Sequence, residues 1–243
     1  MLAVYQKEIN LFFSSMIGYI AIIFYLIITG FFVWVYPGDN ILHNGYADLY
    51  KLFELGPLVM LMLVPAITMR SFADEFESGT IEFLLTKPLS DTDILLGKFF
   101  ASYTIVVIAI LPTTIYIYSV YQLGLPVGNI DLGACITSYL GLLLLGGILV
   151  AIGIFSSLLT KNAISAFLVS LFLSYFIYRG FSDIAHFPMI YGHFDHIIEN
   201  IGIHAHYQAI QKGVIESREI IYFISMTIAF LGATKLLQEK RFW

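Results

Sequence analysis

Long apolar runs, each bounded by polar or turn-forming residues, set the pattern of this chain. Six of them approach the ~20 residues a helix needs to cross about 30 Å of hydrocarbon: 16–36, 55–69, 99–122, 132–159, 163–181 and 220–237. The second is the shortest, and its helix is expected to extend both ways, with Pro57 near its start and Pro65 as a kink. The pattern predicts an all-α polytopic membrane protein in which residues 1–243 form one six-span domain. The first run is too long for a cleavable signal and is followed by WVYPGDN instead of a small-residue cleavage site, so it is expected to remain as a span.

Composition supports this class: 59% of the residues are hydrophobic and 12% charged, against about a quarter charged in soluble domains. The single cysteine, Cys135, leaves no disulfide framework and no cysteine metal cage. The net charge of −5 decides little, because charges in a membrane protein act through their positions. One face carries Lys7, Arg70, Lys87, Lys98, Lys161, Lys235, Lys240 and Arg241; the other carries Lys51, Arg179, Lys212 and Arg218. This bias places both termini in the cytoplasm and the segment 182–219 outside.

The charge that remains is concentrated in RSFADEFESGTIEFLLTKPLSDTDILLGK, residues 70–98, where six carboxylates meet three bases. Ile67, Phe72 and Phe76 recur at roughly helical spacing, so Pro65 to Phe76 reads as a helix leaving the membrane. Gly79 suits its left-handed end and Thr80 can cap a new start. Glu82 then sits near the positive end of a short helix whose apolar ridge is Ile81, Leu84 and Leu85, and Pro88 stops it. Ser90 with Asp93 forms a variant capping box for the next helix. Such a shaped, acidic, amphipathic loop either merely joins two spans or docks in a partner's groove.

Several chemistries are missing. No acid or base lies at mid-membrane depth, which argues against proton-coupled transport, and there is no carbonyl-filter sequence. A glycine-flanked serine, an HExxH pair and a GxxxxGK[ST] loop are also lacking; Gly97-Lys98 is followed by Phe99 and has no upstream glycine at the required spacing. If ATP drives this protein, another chain must bind it. Five of six histidines, His186, His193, His196, His204 and His206, lie in the outer segment. HFDH and HAH have metal-ligand spacings, yet HIIENIGIHAHYQAI also reads as an interfacial amphipathic helix, with Asp195 and Glu199 the nearby acids. In the fourth span, Gly133, Gly141, Gly146, Gly147, Ala151, Gly153, Ser156 and Ser157 permit close helix approach, as in Gly147-xxx-Ala151, within one bundle or at a subunit interface.

The loop resembles the signature of ABC-2 type transporter permeases, E-x-x-x-G-T-x-E-x-L-L-T-x-P followed by a helix beginning near G-K. Glu75, Gly79, Thr80, Glu82, Leu84, Leu85, Thr86, Pro88, Gly97 and Lys98 fall on it. Residues 7–32 and 206–225 are similar to the ends of the gliding-motility-associated ABC permease subunit, although relatives often have proline where Met16 stands and a base at Phe76 or Glu77. The resemblance implies an ATP-driven exporter subunit of the bacterial inner membrane. Residues 1–15 would be a surface-lying connecting helix and 182–219 short outer helices. Glu75, Gly79, Thr80, Glu82, Leu84, Leu85 and Pro88 would form the ATPase-coupling element of region 70–98. ATP and Mg would sit on nucleotide-binding ATPase subunits, and a second permease, identical or not, would complete the path. Membrane lipids are further expected partners, nucleic acid is not, and this chain would be no enzyme and hold no cofactor. Two other readings stand beside this one: an ATP-linked scaffold that transmits force without transport, and a metal-handling protein using the outer histidines.

Overall fold

The computed structural model describes residues 1–37, 40–80, 90–187, 192, 195–214 and 216–241. All regular structure among them is helical. Helix α1 (Leu2–Ser14) precedes α2 (Met16–Gly30), which continues through a π turn at Phe31–Val35. A short α3 (Ile41–Asn44) leads into α4 (Tyr50–Thr68), and α5 (Ala73–Glu77) follows a turn. Next come α6 (Asp91–Ile110), a 3-10 turn at Leu111–Thr114, α7 (Ile115–Leu123), and α8 (Leu132–Leu159). Then α9 (Ala163–Tyr175) passes through a second π turn into α10 (Phe181–Ala185), followed by α11 (Asp195–Glu199), α12 (Ile203–Gln211) and α13 (Ser217–Arg241).

Six of these helical stretches are long and apolar enough to cross a membrane: Met16–Val35, Tyr50–Glu77, Asp91–Leu123, Leu132–Leu159, Ala163–Ala185 and Ser217–Lys240. The chain is a multi-pass membrane protein. Four of the expected spans recur with longer ends, and the first and fourth keep theirs to within one residue. The second begins at Tyr50 because Lys51 and Glu54, polar in the sequence, pair at 3.0 Å and extend the helix beyond its apolar part. The third begins at Asp91, where Ser90 accepts the Asp93 N–H at 3.2 Å and its hydroxyl donates to the Asp93 carboxylate at 2.6 Å. Its 3-10 turn coincides with Pro112, whose missing N–H breaks the regular ladder.

Helix α8 is the axis of the fold, packing against α4, α6, α9, α12 and α13. Its glycines make that possible. A Cβ at Gly153 would lie 2.0 Å from Thr68 Oγ1, and one at Gly146 would lie 2.9 Å from Val106. Each absent side chain lets a neighbouring helix come closer than any other residue would allow. Gly146 and Gly153 therefore serve packing inside this chain. A Cβ at Gly147, by contrast, would meet nothing nearer than 3.8 Å, so that glycine makes no tight contact within this chain.

Pro57 and Pro65 both lie inside α4, which continues through them. Pro57 has no N–H for the carbonyl of Phe53; that oxygen instead accepts the Tyr207 hydroxyl at 2.8 Å. This bond draws α12 into the bundle, where Ile203, Tyr207 and Ile210 are buried. The stretch HIIENIGIHAHYQAI is thus two helices, broken around Gly202, and the second is tucked in on one side instead of lying along the surface.

Replacing Gly153 with Ala is expected to cost about 1–3 kcal/mol, the usual penalty for overpacking a core. The melting temperature of the purified protein in detergent should fall accordingly, and adding Thr68→Ala, which removes the closest atom, should recover part of the loss.

Candidate functional site

Where α5 begins, four elements meet around one buried ammonium. Lys98, one turn beyond the acidic start of α6, has only 1% of its side chain exposed. Its Nζ donates to Glu75 Oε1 at 3.0 Å, to Glu8 Oε1 at 2.9 Å and to the carbonyl of Ser71, and it stands 4.9 Å from the centre of the Phe72 ring. Lys7 adds a second ammonium, 2.8 Å from Glu75 Oε1 and 3.6 Å from Glu8 Oε1. Two cations and two carboxylates are therefore shared between α1, α5 and α6. Burial works to lower the pKa of Lys7, but the hydrogen bond and charge of Glu75, with Glu8 adding, outweigh it and raise the pKa above 10.5.

The neighbouring Gly97 explains how α1 comes so close. A Cβ there would lie 2.8 Å from the Val4 Cβ, so the glycine is the seat on which α1 rests. The Gly97-Lys98 pair thus has two physical tasks, close approach and charge pairing.

The fourth element is α8. Ser157 Oγ accepts the backbone N–H groups of Phe72 at 2.9 Å and Ala73 at 3.1 Å, and donates to the Met69 carbonyl at 3.0 Å. These donors and this acceptor are the ones left over where α4 ends and α5 starts. A continuous helix from Pro65 to Phe76 is not formed; the chain turns at 69–72, and one hydroxyl from the central helix holds the turn.

The expected coupling residues fall into three groups. Glu75 is turned inward, only 8% exposed, and engages Lys98 and Lys7. Gly79 closes the segment with a positive φ of 67°, and Thr80, exposed, lies 2.8 Å from Ser78 Oγ through its own hydroxyl. Glu82, Leu84, Leu85 and Pro88 lie outside the described residues. Sequence reasoning missed Glu8, Lys7 and Ser157 as parts of this site. One signal pointed to a hidden partner: Lys98 interrupts the apolar run ILLGKFF, and a lysine there needs a carboxylate.

On the opposite face, His206 is buried and both ring nitrogens are engaged, Nδ1 with Glu219 and Nε2 with the Asn200 carbonyl at 2.8 Å. Its ring stacks on Tyr222 with centroids 3.7 Å apart. The carboxylate partner is Glu219 at the start of α13, not one of the two acids nearer in sequence. Burial, and then the charge of Arg179, push the His204 pKa below 6.5. His193 lies outside the described residues, and among these no group of three or more His, Cys, Asp or Glu is disposed to hold a metal.

Removing one partner of a buried ion pair strands the other and costs about 3–5 kcal/mol. Lys98→Met should destabilise the protein by this order, as should Glu75→Gln to a smaller degree. Because the two side chains share one interaction, the double variant should lose clearly less than the sum of the single losses in a thermal or denaturant double-mutant cycle.

A family model described as ABC-2 family transporter protein matches residues 5–234, nearly the whole chain, including α1 from Tyr5 onward, the ion-pair cluster and five of the six spans in full. No curated protein matches it. In such a family the membrane subunit is distinct from the ATPase with which it works. The six apolar helices and this match together identify the chain as a member of the ABC-2 transporter family, a transmembrane permease.

Proposed function

We propose that this permease receives the movement of a separate ATPase through residues 79–90 and passes it to the spans through α5. The observation that carries the reading is the anchoring of α5. Five residues long, it is tied by Glu75 to α1 and α6 and by the Ser157 bridge at its start to α8. A displacement delivered just beyond Gly79 acts on three helices at once, as a rigid-body shift.

The face bearing α1 and α5 is then cytoplasmic, in keeping with its eight Lys and Arg against four. ATP and Mg belong to the partner ATPase; this chain contributes no nucleotide chemistry. Thr80, Glu82, Leu84, Leu85 and Pro88 are the residues that meet the ATPase, through the apolar ridge expected at Ile81, Leu84 and Leu85. Glu75 has another task, because its carboxylate faces inward: it positions α5 and does not meet the partner. Reversing its charge would place a third ammonium beside Lys98 and Lys7 and disturb this chain first. A second permease copy or homologue completes the export path in the inner membrane. The gliding-motility branch rests on the likeness of the two end segments alone.

The test uses the complex purified from membranes. Leu84→Asp with Leu85→Asp should release the ATPase while the permease still elutes as a folded, monodisperse protein. Ser157→Ala should retain the ATPase but blunt the ATP-dependent change in distance between spin labels at Leu125 of the two permease subunits. Retention of the ATPase by the double aspartate variant would end the docking role.

A further inference from the structure

Next to the ion-pair cluster lies a cavity of about 430 Å³, within the usual range for a ligand site of ~300–1,000 Å³. It opens between α1, the start of α2, the end of α4 with α5, and α6. Along α6 the surroundings change in successive turns: Lys98 belongs to the charged cluster, Ser102 brings a hydroxyl, and Ile105 brings hydrocarbon. Across the cavity the same order runs back along the chain of α4, from Arg70 and Ser71 beyond its end to Ile67 inside the apolar span. Phe12 and Ile17 complete the apolar part of the wall.

The hydroxyls between charge and hydrocarbon point to a ligand. Ser71 and Ser102 are each only 6% exposed, and neither side chain has a hydrogen-bond partner among the described residues. Neighbouring threonines behave differently: Thr68 on α4 and Thr104 on α6 donate to the carbonyl four residues back, at 2.9 and 2.7 Å. Ser170 and Ser174 also lack partners, but their oxygens are sealed in packing, as is Glu75 Oε2, whereas Ser71 and Ser102 line the cavity. A hydroxyl withdrawn from bulk water without a partner is costly, and an acceptor brought by a ligand relieves that cost. Arg70 meets Asp74 through Nε alone, at a loose 3.7 Å, and remains half-exposed, so its terminal nitrogens are available to an anion. Lys7, Lys98, Glu8 and Glu75 already compensate one another.

A guanidinium, then two hydroxyl donors, then hydrocarbon is the order that matches the phosphate, the two ester carbonyls and the acyl chains of a diacyl glycerophospholipid. We infer that this cavity holds the glycerol backbone and upper chains of such a lipid, drawn from the leaflet on the α1 face. Its phosphate meets the Arg70 guanidinium, its ester carbonyls accept from the Ser71 and Ser102 hydroxyls, and its chains leave along Phe12, Ile67 and Ile105. The lipid thereby joins the turn at 69–72 to α6, whether or not an ATPase is docked.

The probes are dioleoyl-phosphatidylcholine, its di-ether analogue with the same head and chains, dioleoylglycerol, and free glycerophosphocholine, each added to the delipidated full-length permease in detergent. The di-ester lipid should raise the melting temperature by several degrees. The di-ether lipid, which lacks both carbonyls, and dioleoylglycerol, which lacks the phosphate, should each need roughly tenfold more for half the shift. Glycerophosphocholine, lacking esters and chains, should do little. Ser71→Ala and Ser102→Ala should each narrow the ester–ether difference roughly threefold, which a change in the fold alone would not do. Arg70→Gln should bring the phospholipid down to the level of dioleoylglycerol. If one serine variant fails to fold, the other and the lipid series still decide. Equal half-maximal concentrations for the di-ester and di-ether lipids, or an ester preference unchanged in both serine variants, would overturn the assignment. So would dioleoylglycerol or glycerophosphocholine matching the phospholipid, or no shift from any probe, the result expected if water alone fills the cavity.

Discussion

The dehydrated ammonium of Lys98 sets the conditions that the rest of the structure on the α1 face meets. A lysine taken out of water is tolerated only when carboxylates and further acceptors surround it. Here the acceptors come from three places far apart in the chain: Glu8 in α1, Glu75 in α5 and the Ser71 carbonyl in the turn between α4 and α5. Satisfying one charge therefore fixes three elements relative to α6. Gly97 permits the approach, and Phe72 supplies a ring face to the same ammonium.

The second constraint is backbone supply and demand around the prolines and helix ends. The Phe53 carbonyl opposite Pro57 takes the Tyr207 hydroxyl, and the loose ends at 69–73 take Ser157. Both solutions use side chains from other elements packed on the bundle axis, so local breaks become tertiary links. One ties α12 to α4 towards the opposite face, and the other ties α5 to α8 beneath the ion pairs. Helix α8 lies between the two, held close by its glycines.

Much of this was legible in the sequence, because membrane crossing depends on long apolar runs that a one-dimensional reading detects. The fourth span, expected at 132–159, is the helix Leu132–Leu159, bounded by Asp131, whose side chain accepts the Ala134 N–H, and by the cap of the next helix at Asn162. The helix stop at Gly79 and the Ser90 cap were likewise readable, since they depend on residues within a few positions of each other. What escaped depends on long-range pairing. Glu75 looked like part of an acidic surface because nothing local shows that it faces Lys98, 23 residues on, and Lys7, 68 residues back. Ser157 looked like one more small packing residue, although it closes a turn 84 residues earlier. The break at 69–72 was missed for the same reason: its helical spacing is intact, and only the distant hydroxyl makes a turn stable there.

The central claim is that α1, α5 and α6 move as one body when the ATPase acts. A disulfide between cysteines at positions 4 and 97 tests it most directly, since the Cβ of Val4 and that of a residue at 97 lie 2.8 Å apart, within about 1 Å of disulfide spacing. The native Cys135 is buried and can be left in place. In the purified complex, the ATP-dependent change in distance between spin labels at Leu125 should be the same with the cross-link formed and with it reduced. Loss of that change on cross-linking, and its return on reduction, would show that α1 and α6 must slide past each other and would contradict the account.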